Sequence, residues 1–451
     1  MVTFSIRLLI GAVVAGTLAI SCRSASALIV SDASGIAAIN TTAPADDPGW
    51  NNALTGFSGI YLGNQWVLTA NHVVNPNARP TVANLPGGSY RIIPNSFRTL
   101  TNPGSFGGIG LTANSDLLMF RIDTETNTGL KPEQQNPNTK PITIGSAQPA
   151  VGAELLMIGN GSTRALAGED TVNFEFHWND SWVQQANPNL ATKHGYFHTA
   201  STGGNTWGKN RVADDAVIQD GNADGNNIVV QLPGGALLIT LATQWDRARN
   251  NSGAAIPGST ATQFEAQAAP GDSGGAVFTK NGSNWELVGV MAAIFLDSGQ
   301  SIAQTVYGNR TVFSDLTNPH YRAQLENLRA DNNYSIAGDV NLDGVVSGSV
   351  VNGTPTGDLA AFVSGWNNQQ GAGDILSWKK GDLNQDGKTD FADFAILRGQ
   401  LGGSVTAAQL SSLVASASPA ANAVPEPNSI AIAAGAGIAW WYLRRKRQRA
   451  L

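Results

Sequence analysis

Short β-like runs punctuated by Gly, Pro and Asn fill residues 28 to about 330, among them Gly59-Ile60-Tyr61-Leu62, Gln65-Trp66-Val67-Leu68 and Leu287-Val288-Gly289-Val290. Gly and Pro end helices, so this punctuation leaves room for little but short strands. Helical spacing first emerges at Tyr321–Ala330, which is expected to close the domain. About 300 such residues can bury a large core. The whole chain of 451 residues has the length of two to three domains. Its 51 Gly and 13% charged residues exclude a coiled coil, a collagen-like repeat and a highly charged disordered chain. Seven of the 27 basic residues lie at the two ends, which leaves the body acidic. Such a body would repel polyphosphate, so no nucleic-acid partner is expected.

The ends read as addresses. Residues 1–27 fit a signal peptide: Arg7 is the positive start, Leu8 to Ile20 the apolar centre and Ala25-Ser26-Ala27 the cleavage site. Cys22 is the only cysteine, so cleavage after Ala27 leaves a chain without disulfides. Core size and bound calcium must then stabilise the exported fold. Residues 404–423 are rich in Ala and Ser and read as a linker, with weak helical character at Ala407–Val414. Residues 424–451 hold Val424-Pro425-Glu426-Pro427, a short apolar span from Ile430 to Leu443 and a basic end. The order resembles the PEP-CTERM sorting tail, which implies recognition by an exosortase-type enzyme. Membrane contact is expected only through this short transmembrane segment, before processing. The body is thus expected at the cell envelope, the surface or outside.

Three segments carry nucleophilic chemistry. His72 follows the run Val67-Leu68-Thr69-Ala70, Asp116 heads Leu117-Leu118-Met119-Phe120, and Ser273 sits in Pro270-Gly271-Asp272-Ser273-Gly274-Gly275. A serine hydroxyl is a poor nucleophile until an imidazole takes its proton, and the imidazole needs a carboxylate to fix its tautomer. Glycines around the serine free backbone N–H groups to meet a developing oxyanion. These motifs, in the order His, Asp, Ser, resemble the chymotrypsin-like (trypsin-fold) serine proteases. The resemblance covers residues 28–330 and implies two six-stranded antiparallel β-barrels with the site between them. It implies His72 as general base, Asp116 as its orienter, Ser273 as nucleophile, and the amides of Gly271 and Ser273 as the oxyanion hole. No cofactor is then needed for catalysis. Gln267 falls six residues before Ser273, where trypsin-type members carry Asp, and Ile294 falls where many have Gly. Gln267 then predicts a pocket without strong preference for Lys or Arg, and Ile294 one narrowed toward small apolar side chains. Asp272 is expected to pair with a new amine at Leu28, exposed by signal removal. A non-catalytic surface or matrix protein that keeps the scaffold for binding is the alternative. The His-Asp-Ser order argues against an α/β-hydrolase.

From Asp116 to Ser273 is 157 residues, more than compact members use, and His177, His194 and His198 lie in the excess. Only His194 and His198 have a ligand-like spacing, and Gly195 argues against the helix that would align them. These histidines are expected to be solvent-exposed loop residues.

Residues 337–403 form a separate module. Asp382, Asn384, Asp386, the Lys388 carbonyl, Asp390 and Asp393 occupy the ligand positions of an EF-hand-type loop, with Gly387 at the turn. Asp339, Asn341 and Asp343 begin a second copy, which is expanded until Asp358 restores an acid. Helices are expected at Leu359–Trp366 and Phe391–Leu401. The duplication resembles type I dockerins, which implies Ca²⁺ and a cohesin-like partner. Asp220-x-Asn222-x-Asp224-Gly225 echoes the pattern but reads as a turn.

Overall fold

The computed structural model describes residues 28–417, apart from 32–39, 166–171, 200–203, 215–226, 233, 332–333, 335 and 370–372. The segments expected to be a signal peptide and a sorting tail, and the expected Asp220–Asp224 turn, therefore lie outside the described residues. No helix among the described residues is long and apolar enough to cross a membrane. The chain divides into two compact units, residues 1–335 and 336–451.

The first unit is mainly β. Its strands are β1 (Ile29–Ser31), β2 (Ile60–Gly63), β3 (Trp66–Ala70), β4 (Val82–Leu85), β5 (Gly88–Ile92), β6 (Arg98–Thr101), β7 (Asn114–Glu125) and β8 (Glu154–Gly159). They continue as β9 (Phe176–Trp178), β10 (Lys193–Thr199), β11 (Thr206–Arg211), β12 (Ile228–Gln231), β13 (Leu237–Gln244) and β14 (Glu265–Gln267). The last four are β15 (Ala276–Asn281), β16 (Asn284–Phe295), β17 (Gln304–Val306) and β18 (Arg310–Ser314).

An N-terminal sheet runs β2-β3-β7-β5-β4, with β6 also on β7. The long β7 takes β3, β5 and β6 along its length, and the register slips in the last two pairings. Such bulges bend a strand and let its sheet curl.

The C-terminal sheet departs from the expected six strands. It has nine, ordered β1-β14-β11-β8-β15-β16-β18-β13-β12. Most neighbours are antiparallel, but β11 and β14 meet in parallel at Lys209 and Glu265. A third sheet joins β9, β10 and β17 with the short strand Thr163–Arg164 and absorbs much of the length between Asp116 and Ser273.

Both large sheets feed one core, in which Ile60, Leu62 and Leu68 share a cluster with Leu156, Ile158, Phe278 and Val290. Burying each such side chain contributes roughly 1.5–3 kcal/mol, which suits a domain without disulfides. Helix α1 (Pro319–Ala330) ends the unit. Asn318 caps it, Pro319 starts it, and Tyr321 and Leu325 are buried.

The second unit holds α2 (Gly357–Ser364), α3 (Phe391–Gln400) and α4 (Ala407–Ala417). The stretch expected as a linker thus contains a full helix, with Val405 and Leu410 buried. Leu410, Leu413 and Val414 supply the apolar stripe that its Ala/Ser-rich composition obscures.

Candidate active site

Strand β3 is buried along its whole length and leads into a single 3₁₀ turn, Asn71–Val73, which carries His72. Pairing of Ala70 with Leu117 brings Asp116 beside that turn. One Asp116 oxygen accepts the His72 backbone N–H at 2.9 Å, and the other meets His72 Nδ1 at 2.6 Å. The carboxylate is 2% exposed and the imidazole 21%. An ionised carboxylate only accepts, so Nδ1 carries the hydrogen and Nε2 of the neutral ring is left basic.

Ser273 lies in the turn between β14 and β15 and lines the same open cleft as His72, about 420 Å³ in volume. Two glycines shape this turn. Gly274 has φ +90°, and a Cβ there would stand 2.3 Å from Thr69 Oγ1. Gly271 has φ +99°, and a Cβ there would stand 2.8 Å from Gly161 Cα. The carbonyls of the turn are anchored. Ser58 Oγ donates to Gly271 O at 2.8 Å, and the Ser162 amide donates to Pro270 O at 3.0 Å. Among the described residues no hydrogen bond takes the amides of Gly271 or Ser273. Ser58 and Asn160 both line the cleft, and the Asn160 amide donates to Ser58 Oγ at 3.0 Å. Nothing in their local sequence marks either residue.

The model of the trypsin-like peptidase domain matches residues 57–290. The chain belongs to this family. No curated protein sequence matches it. Among solved structures, 470 chains match. One is neuropsin, described as a serine protease expressed in the limbic system of mouse brain. It is 14% identical, with 64% of this chain and 97% of that chain covered and a TM-score of 0.33.

Asp272 of the peptidase domain is fully buried. Its Oδ2 accepts from the backbone nitrogens of Leu28 (3.1 Å) and Ala269 (2.8 Å), and its Oδ1 accepts from Gly161 (2.9 Å). Burial pushes the carboxyl up to about 7, against the pull of these N–H groups. Pairing of β1 with β14, Ile29 opposite Gln267, holds Leu28 beside it. Gln267 is 1% exposed, and neither polar atom of its side chain has a partner among the described residues. Ile294 is half-buried on β16, opposite Thr311. Neither Gln267 nor Ile294 lines the cleft around Ser273.

The insertion histidines are not loop residues, which corrects the sequence reading. His177 is on β9, His194 and His198 are on β10, and His177 is 4% exposed. Antiparallel register sets His177 opposite His194, with Nδ1 atoms 2.8 Å apart. Glu175 is gripped by Arg247, whose Nη2 and Nε lie 2.5 and 3.3 Å from its two oxygens. His198 Nε2 bonds Thr305 Oγ1, and burial pushes this imidazole down to about 4. Chain spacing concealed the arrangement, because cross-strand pairing rather than helical periodicity unites the side chains.

In the second unit the two acidic loops carry one hydrogen-bond pattern. Asp382 Oδ2 accepts the Gly387 amide at 2.9 Å, as Asp339 Oδ2 accepts that of Gly344 at 2.8 Å. The turns Asn384–Asp386 and Asn341–Asp343 repeat at 2.9 Å, as do Asp386–Lys388 and Asp343–Val345. Asp393 accepts from the amides of Asn384 and Asp390, and Asp358 from those of Asn341 and Ser347. Ser347 therefore holds the place of Asp390, which sequence reasoning missed. Eleven positions separate Ser347 from Asp358, where three separate Asp390 from Asp393. The hairpin Val350–Val351/Thr354–Pro355 occupies the difference.

Asp339, Asp358, Asp382 and Asp393 are all buried. Burial first, and a neighbouring carboxylate last, push the Asp358 and Asp393 carboxyls up. Among the described residues Asp382 Oδ1 is buried without a partner. An orphaned buried acid oxygen at the first position of such a loop fits a hard divalent cation.

Proposed function

We propose that the chain is an exported serine endopeptidase in which His72, Asp116 and Ser273 cleave peptide bonds through an acyl-serine intermediate. The observation that carries this reading is the Asp116-locked imidazole in the same cleft as Ser273. Ser273 Oγ attacks the substrate carbonyl while its proton passes to His72 Nε2. Asp116 stabilises the resulting imidazolium. The Gly271 and Ser273 amides take the oxyanion, a role supported by their freedom from other bonds and by the Ser162 anchor on the Pro270–Gly271 peptide. The imidazolium returns the proton to the leaving amine, and water repeats the sequence to free the acid.

In this reading signal removal creates an ammonium at Leu28 that pairs with Asp272 and steadies the turn. The 3.1 Å approach of the Leu28 nitrogen supports it. The second unit, dockerin-like, binds Ca²⁺ through the two acidic loops, and the orphaned Asp382 oxygen supports that assignment. Its partner is cohesin-like, and an exosortase-type enzyme handles the tail.

Residues 28–423 are to be tested against a peptide library beside Ser273→Ala. Cleavage that vanishes in the variant agrees with this reading. Equal cleavage by both, or none by a folded, calcium-loaded wild type whose amine terminus is Leu28, assigns the scaffold to binding instead.

A further inference from the structure

Away from the cleft, β9 and β10 bring together three side chains with metal-binding chemistry. His177 stands opposite His194. Glu175 lies immediately before β9, two residues from His177. One ligand atom from each lies within 4.8 Å of the others. Glu175 and His177 are buried, while His194 is half-buried and opens a route from solvent. We propose that Glu175, His177 and His194 bind one divalent transition-metal ion that staples β9 to β10.

The residue chemistry favours a particular class of ion. Two imidazoles with one carboxylate suit Cu²⁺, Ni²⁺ or Zn²⁺ rather than Ca²⁺ or Mg²⁺. Arg247 orients the Glu175 carboxylate by bonding to both of its oxygens. Without metal, the two rings share one hydrogen between their Nδ1 atoms. Metal held by both Nδ1 atoms displaces that hydrogen to Nε2 of the same ring.

The staple acts on more than its own two strands. Tyr196, two residues beyond His194, packs with Ile29 and Ala269. The Ala269 amide in turn holds Asp272. An ion at His194 thus braces the strand on which the segment before Ser273 rests.

The test uses the full chain carrying Ser273→Ala and His72→Ala, stripped of transition metals and saturated with Ca²⁺. Its outcome is therefore independent of the peptidase reading. Titration with Cu²⁺ and with Zn²⁺ is expected to load one ion per chain and to raise the melting temperature. The Cu²⁺ resonance spectrum should show coupling to two imidazole nitrogens, a readout that needs no variant at this site. His177→Gln and His194→Gln should each weaken binding by about a hundredfold or more, while His320→Gln should not change it. No bound equivalent, no two-nitrogen coupling, or binding that survives both glutamine variants overturns the proposal.

Discussion

Two histidine–carboxylate groups lie in the same β domain and do opposite things with their protons. At His72 the carboxylate belongs to the imidazole: Asp116 holds both the backbone and Nδ1, and the residue lines the cleft with Ser273. At His177 the carboxylate of Glu175 is claimed by Arg247, and the ring turns its Nδ1 to a second imidazole. A histidine beside an acid is therefore not yet a base. What decides is whether the acid is free to lock the tautomer and whether the other nitrogen has somewhere to send a proton.

The largest effect should come from breaking the first group. Asp116→Asn keeps the shape but can donate to Nδ1, which favours the wrong tautomer. Steady-state hydrolysis should fall by about 10⁴-fold in kcat, with little change in KM. Breaking the second group should cost stability instead. Glu175→Gln leaves the Arg247 guanidinium, 14% exposed, without its anion. Urea unfolding should show a loss of about 3 kcal/mol.

A smaller and reversible effect belongs to Asp272. Its folded pKa of about 7 lies above the ordinary 3.8, so the folded state binds the proton more tightly. This group's contribution is fully present below about pH 4 and is lost as pH rises through about 7. A chain with extra residues before Leu28 should show that slope between about pH 4 and 7. A chain that begins at Leu28, with an ammonium to pair the carboxylate, should show much less of it. Equal slopes in the two chains would remove the proposed role of the new amine. Smallest is the expected effect of Gly274→Ala. Its Cβ would press on Thr69 Oγ1 and the Ser58 carbonyl, and thermal unfolding should report about 1–3 kcal/mol of destabilisation.

How far each group could be read from the sequence follows the same contrast. His72, Asp116 and Ser273 each sit in a contiguous motif at the end of a strand, so local patterning marks them. Glu175 and His194 meet only through the register of β9 on β10, and no periodicity along the chain reports a register. Ser58 has no local signal, because its role depends on where the Gly271 carbonyl arrives. The strand content of the domain was legible from its Gly, Pro and Asn punctuation. The nine-strand sheet was not, since β1 joins it from more than 200 residues away in sequence. In the second unit Asp358 was found by chemistry, as the next acid available. Ser347 was missed because a hairpin separates it from Asp358.

The central claim is that the locked imidazole activates Ser273. Its most direct test is covalent labelling of residues 28–423 by a fluorophosphonate, with the adduct mapped by peptide mass. A single adduct on Ser273 is expected, slowed strongly by Asp116→Asn and unaffected by His194→Gln. A folded, calcium-loaded protein with Leu28 at its amine terminus that takes no label, or takes it elsewhere, would contradict it.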